Sequence, residues 1–205
     1  MSVPAGTFAS VMLKVLMVRH GQSEWNAVGR WQGQADPPLS DLGIRQSEAA
    51  GRSAGSFDAI VASDLDRAAT TARIMADVIG VGPVITDEGL RERDVGEWQS
   101  LTRTEIETAY PGLLDNGRRP PGWETDESVL QRALGSLDRI AGHVISGEVL
   151  VVAHGGIIYT LERHLGADFA PIQNLHGRWF HRSESRLELG DRVALVTDTG
   201  EAAAL

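Results

Sequence analysis

A chain of 205 residues can bury a full core without disulfides or a structural metal, and it reads as a single domain over residues 13–205 behind a flexible N-terminal tail, residues 1–12. The formal net charge of −9 argues against a polyanionic partner such as nucleic acid, so any anion site must be local. The absence of cysteine excludes a disulfide framework, a thiol nucleophile and a thiolate metal site. No apolar run approaches the ~20 residues that cross a bilayer, and Met1 to Ser10 lack the pattern of a signal peptide, so a cytoplasmic protein with no membrane partner is the expectation.

Val15 to Val18 form a short branched run that reads as a buried strand, broken at its end by Arg19-His20-Gly21. In an open α/β sheet the carboxyl ends of strands open into the ligand crevice. A cation, an imidazole and a glycine there suggest an anion site holding a nucleophile or base. Gly21 to Pro38 has loop composition, with Trp25, Arg30, Trp31 and Gln32 among its glycines and prolines. Ser40 is placed to cap a helix over Asp41–Ala50, which Gly43 weakens by roughly 1 kcal/mol. Phe57–Ala62 reads as a second strand. Ser63 with Asp66 approximates a capping box for a helix whose stripe Leu65, Ala68, Ala69, Ala72, Met75, Val78 and Ile79 closes at Gly80. Arg67 falls in its first turn, where free N–H groups and the helix dipole favour an anion.

Val84-Ile85 reads as a short edge strand, and Arg91 to Asp94 as a solvated charged loop. Thr102 and Glu105 make a capping box for a short helix that Tyr110-Pro111 ends. Gly112 to Glu124 is a loop or lid. Asp126 is placed to cap a helix carrying Leu130, Ala133, Leu134, Leu137, Ile140, Ala141 and Val144. Val149 to Ala153 is the strongest strand signal; it ends on His154-Gly155-Gly156 and runs into Ile157, Ile158, Leu161 and Leu165. This is a second strand, histidine, glycine, helix junction. Trp179, Phe180, Leu187, Leu189, Val193, Leu195 and Val196 read as closing strands.

Two arginines offer forked donors matched to phosphate oxygens, and a neutral imidazole is a competent nucleophile toward phosphorus. Like charge disfavours imidazolium, so Arg19 is expected to keep His20 in its free form near neutral pH. The imidazoles of His20 and His154 are expected to converge face to face on one phosphorus atom. No His-x-His, His-Glu-x-x-His or carboxylate cluster accompanies them, so no metal site is expected. Gly29 to Pro38, Val95 to Arg103 and Gly112 to Glu124 would form the pocket mouth, with Trp31, Trp98 and Trp123 as candidate walls.

The stretch Val18-Arg19-His20-Gly21-Gln22-Ser23-Glu24-Trp25-Asn26 resembles the Arg-His-Gly-x-Ser/Thr-x-x-Asn signature of the histidine phosphatase superfamily, branch 1, the phosphoglycerate mutase-like group. The resemblance continues through Leu39–Gly43, Ser63–Ala72, Leu90–Trp98 and Ala153–Gly156, blocks that fall in family order over most of the chain. It implies a three-layer α/β/α sandwich with a mostly parallel central sheet, and it calls for no metal or organic cofactor. The implied activity is hydrolysis of a small phosphomonoester, a sugar phosphate or a phosphoglycerate-like ester, through a phosphohistidine. On the matching positions, His20 would be the nucleophile. Arg19, Arg67, His154 and Asn26 would hold the phosphoryl oxygens, with Gln32, Gly33 and Gly155 as further phosphate contacts. Glu92 would protonate the leaving oxygen and then activate water.

Departures from the cofactor-dependent mutases favour hydrolysis. Val95 stands where mutases carry an aromatic residue, Gly156 where they carry Asn, and only Gly112 to Glu124 stands where they carry a longer insertion. A mutase must reorient a phosphorylated intermediate while excluding water, and fewer capping residues suit hydrolysis better. Arg103 and the pair Arg118-Arg119 match mutase cations and keep that alternative in view. A non-catalytic phospholigand-binding protein is the reading from another class. The family holds monomers, dimers and tetramers, so a homodimer is one of the expected states.

Overall fold

The computed structural model describes residues 12–144, 146–183 and 186–197. But for Met12, the expected N-terminal tail lies outside the described residues. Along the chain run β1 (Leu13–Arg19), α1 (Glu24–Ala27), α2 (Asp41–Ser53), β2 (Ala59–Ala62), α3 (Asp66–Ile79), β3 (Ile85–Thr86) and α4 (Arg103–Ala109). After these come α5 (Asp126–His143), β4 (Gly147–Ala153), α6 (Gly155–His164), β5 (His176–Arg182) and β6 (Leu187–Ala194).

Side chains alternate across a strand, and here both sets are apolar because both faces of the sheet are covered. Leu13, Val15 and Met17 of β1 join Val149 and Val151 of β4 in one core. That core is completed by Val129, Ala133, Leu137 and Ile140 of α5 and by Ile157 and Leu161 of α6. Leu16 and Val18 join Leu150 and Val152 in the other, against Ala49 and Ala50 of α2 and Ala68, Ala72 and Met75 of α3. The result is the three-layer α/β/α sandwich read from the sequence. Strand order is β3-β2-β4-β1-β5-β6, with the first four parallel and β5 and β6 antiparallel. The two strands that end on histidine are neighbours at the centre, where Arg19 pairs with Ala153.

Ser40 caps α2 by accepting the Gly43 N–H, and Thr102 and Glu105 form the reciprocal box on α4. Gly43 sits within a helix because a Cβ there would lie 2.0 Å from the Gln22 carbonyl oxygen. The loop leaving β1 thus rests directly on the first turn of α2, and that contact offsets the propensity cost of glycine. α3 closes at Gly80 in the left-handed region, as the stripe implies.

Several boundaries differ from the sequence reading. Leu65, not Ser63, is the N-cap of α3 and makes no side-chain capping bond; Ser63 Oγ accepts the Leu65 N–H ahead of the helix. The Asp66 N–H is satisfied instead by Asp36, a carboxylate from the loop after β1. Thr125, not Asp126, caps α5, and its buried stripe starts at Val129 rather than Leu130. β2 begins only at Ala59, with Phe57 packed into the core beside α2 and α3. The segment Arg91 to Asp94 is part-buried rather than freely solvated. Leu90 and Trp98 anchor it on either side, and Arg132 of α5 donates to the carbonyls of Gly89, Arg91 and Glu92. The closing residues form one antiparallel pair, β5 and β6, after which Leu195 and Val196 turn into the core.

Candidate active site

The register of β1 and β4 places His20 and His154 side by side, one residue beyond their strands, and the His20 N–H donates to the Ala153 carbonyl at 3.0 Å. The ring centroids are 5.1 Å apart at an interplanar angle of 61°, so the imidazoles meet edge-on rather than face to face. His20 Nδ1 lies 2.6 Å from the Gly21 carbonyl oxygen, which can only accept. The proton therefore sits on Nδ1, and Nε2 keeps its lone pair, toward which Arg67 Nε donates at 3.3 Å. Burial, first, and then Arg67 and Arg19 hold the His20 pKa well below 6.5. Arg19 has the expected direction of effect, but desolvation and Arg67 outweigh it. His154 is lowered likewise, by burial and then by Arg67 and His20. Its two ring nitrogens have no hydrogen-bond partner among the described residues, an unusual state for a fully buried side chain.

Arg67 is fully buried at the start of α3. Besides His20 it donates to the Ala35 carbonyl at 2.7 Å and the Gly33 carbonyl at 2.9 Å, and burial pulls its pKa down to about 10. Arg19 donates to the Ile172 carbonyl at 2.9 Å. Asn26 belongs to the capping box of α1, where its Oδ1 accepts from the Ser23 N–H and from Asn174 Nδ2. Asn174 Nδ2 also donates to the His20 carbonyl at 2.8 Å. Ser23 Oγ donates to Gln32 Oε1 at 2.7 Å.

Glu92 is seated at the N-terminus of α6. Its Oε1 accepts from the Arg93 N–H at 2.7 Å and its Oε2 from the Gly156 N–H at 3.1 Å. A Cβ on residue 156 would stand 2.1 Å from Glu92 Oε1, so the seat requires glycine there.

A cleft of about 580 Å³ opens over these groups, lined by Arg19, His20, Asn26, Gln32, Gly33, Glu92 and Gly155 among others. Every sequence-read site residue except two is on its wall. Arg67 and His154 lie behind it, in contact with His20. Trp31 and Trp123 line the cleft as expected, but Trp98 does not. It is fully buried and supports the other two edge-on, at 5.5 and 5.7 Å between ring centroids. Of the three mutase-like cations, only Arg119 reaches the cleft, stacked 4.8 Å over Trp123. Arg103 is exposed and paired with Asp115 at 3.6 Å, and Arg118 is exposed.

Sequence reasoning missed Arg93, Tyr159 and Phe169 on the wall, and Asn174 behind it. Tyr159 carried a usable signal, since it lies four residues after Gly155 on the same helix face. Among the described residues no group of three His, Cys, Asp or Glu side chains is arranged to hold a metal, and no helix is long and apolar enough to cross a membrane.

Fold and site together define an α/β protein of the phosphoglycerate mutase-like type, with histidines and arginines gathered at the carboxyl ends of its central strands. The family model described as the histidine phosphatase superfamily (branch 1) matches residues 15–198, and the chain belongs to that superfamily, as one of its phosphatases. It is 40% identical over 162 residues to a glucosyl-3-phosphoglycerate phosphatase of Mycolicibacterium vanbaalenii, covering 72% of each chain. It is 35% identical over 161 residues to a 2,3-bisphosphoglycerate-dependent phosphoglycerate mutase of a Methylobacterium species, covering 72% of this chain and 77% of that one. Among solved structures, a mycobacterial glucosyl-3-phosphoglycerate phosphatase complexed with VO3 superposes with a TM-score of 0.75 at 30% identity, over 88% of this chain and 99% of the other.

Proposed function

We propose that this phosphatase is a metal-independent phosphomonoesterase acting through a phosphohistidine at His20 on a small phosphorylated metabolite. One observation carries the reading: a neutral His20 whose Nε2 holds its lone pair shares a cleft with Arg19 and Glu92, with Arg67 and His154 directly behind. Nε2 attacks phosphorus and the ester P–O bond breaks, while the protonated Glu92 carboxyl gives its proton to the departing oxygen, which leaves as an alcohol. Glu92, now ionised, takes a proton from water as that oxygen attacks phosphorus. The N–P bond breaks, phosphate leaves, and both side chains return to their starting forms. Arg19 and Arg67 offset the charge on the phosphoryl oxygens, with His154, Asn26, Gln32, Gly33 and Gly155 completing the cradle.

Two observations support a sugar phosphate or a phosphoglycerate-like ester as substrate. Arg119 stands over the cleft with no carboxylate partner among the described residues, which suits a carboxylate on the substrate. The Mycolicibacterium relative is named for such a phosphorylated acid. His20→Ala is expected to abolish phosphate release from a generic aryl phosphate, and a chelator to leave the parent protein's rate unchanged. Retained activity in the variant, or a chelator-sensitive rate, contradicts the reading. Primer-dependent exchange of 3- and 2-phosphoglycerate at a rate above phosphate release would establish the mutase instead. Absence of a burst of label on His20 would favour a protein that only binds its phospholigand.

A further inference from the structure

Arg132 of α5 stands behind the loop that carries Glu92. Its Nε and Nη2 make a fork on the two carboxylate oxygens of Glu124, each at 2.8 Å. Its Nη1 donates to the carbonyls of Gly89, at 3.0 Å, and of Arg91, and Nη2 also donates to the Glu92 carbonyl, at 3.1 Å. A guanidinium has five N–H bonds, and these contacts engage every one. Neither Arg132 nor Glu124 borders the cleft over His20, and both are largely buried, with side chains 20% and 14% exposed. We infer that Arg132, clamped by Glu124, is a positioning residue for the general acid: it fixes Glu92 by its main chain and leaves the carboxyl free to give and take a proton. This rests on the reading of Glu92 as that acid.

Chemistry explains why the grip falls on the backbone. A guanidinium placed on a carboxyl favours the ionised form, which has no proton for a leaving oxygen. The Glu92 carboxyl accepts instead from two neutral N–H groups, those of Arg93 and Gly156, while the Arg132 cation is directed to carbonyls. Three carbonyls between Gly89 and Glu92 on one rigid fork fix the path of the loop, and Gln34 Nε2 adds a donor to the Glu92 carbonyl at 3.3 Å. The loop also starts flush on α5, since a Cβ on residue 89 would lie 2.3 Å from Ser136 Oγ. Glu124 ties this loop to the segment that carries Trp123. Its N–H donates to the Asp94 carbonyl at 2.9 Å, its carbonyl accepts from Arg93 Nη1 at 2.7 Å, and its Oε2 accepts the Asp94 N–H at 3.2 Å. Ser128 Oγ holds Oε1 from the other side, at 2.8 Å. A two-pronged arginine–carboxylate contact of this kind sets direction as well as distance.

The leaving group supplies the test. Nitrophenolate departs without a proton, whereas the more basic phenolate gains from an acid, so a displaced Glu92 should slow phenyl phosphate far more than nitrophenyl phosphate. The ratio of the two kcat/KM values is taken on one protein, so an unfolded fraction cancels. Arg132→Lys keeps the positive charge but offers three donors at one point in place of five in a fork. It is expected to lower kcat/KM about tenfold for phenyl phosphate, part of the ~10²–10⁴-fold that an acid supplies, and less than about twofold for nitrophenyl phosphate. Glu124→Gln loosens the clamp at nearly constant volume. It is expected to shift the ratio in the same direction, and it decides the matter where the lysine variant does not fold. A ratio equal to the parent's in the folded variants would overturn the inference, because a merely structural role lowers both rates alike. Glu92→Gln is the control. A loss there that is the same for both esters would remove the reading of Glu92 as the acid, and the inference with it.

Discussion

A methyl group added to Gly156 would occupy the place of Glu92 Oε1, and the carboxylate would lose its bond from the Gly156 N–H. Gly156→Ala is therefore expected to act through Glu92. It should lower kcat by a large part of the ~10²–10⁴-fold that Glu92→Gln removes, with little change in melting temperature. Steady-state kinetics on one aryl phosphate compares the two variants, and a fully active Gly156→Ala protein would show that the seat is dispensable. The buried histidines give a second expectation. With His20 and His154 held neutral below 6.5, the unfolded chain takes up protons that the folded chain refuses as pH falls through that value. Their contribution to stability is complete above pH 6.5 and is lost progressively toward acid. The urea midpoint should then fall between about pH 7.5 and about pH 5.5, above the range in which paired carboxylates titrate, and a flat midpoint would contradict it. At this scale the positions of His20, Arg19, Glu92 and His154 were legible, because each stands in a short contiguous block at an element's end. Trp98 was misplaced because composition does not separate a buried loop tryptophan from an exposed one. Phe169 and Asn174 were invisible, since each reaches the site only through the convergence of distant segments.

The starts of α2 and α4 were read correctly because their capping partners are local. Ser40 and Thr102 each accept an N–H three residues on, a bond that the spacing alone reveals, whereas the start of α3 depends on Asp36, thirty residues earlier in the chain. Thr125 and Asp126 are adjacent and both suit a cap, so only coordinates separate them. Thr102→Ala removes the acceptor of the Glu105 N–H, while the Glu105 carboxylate keeps the residue 102 N–H and Arg30. It should cost about 1 kcal/mol, read as a lower urea midpoint at unchanged slope. Gly43 gives the opposite lesson. Propensity marked it as a weakness of α2, and the structure shows it admitting the loop that carries Gln22 and Ser23 toward the site.

The sheet as a whole was legible in its parallel part, because a strand buried on both faces and followed by a helix leaves a continuous apolar run. The antiparallel β5 and β6 were weaker in the sequence, their residues being mostly part-buried. In the assembled molecule the histidines ride on the two middle strands, each paired on both sides, while Arg119, Trp123 and Phe169 stand on connecting segments. Local opening begins where contacts are sparse and reaches such a centre only in the global transition. On heating, hydrolysis of a small aryl phosphate should therefore persist until the cooperative melt, as calorimetry run beside the assay would show. Discrimination among larger esters should decay at lower temperature. A protein built this way becomes indiscriminate before it becomes inert, with its chemistry the last property that warming takes away.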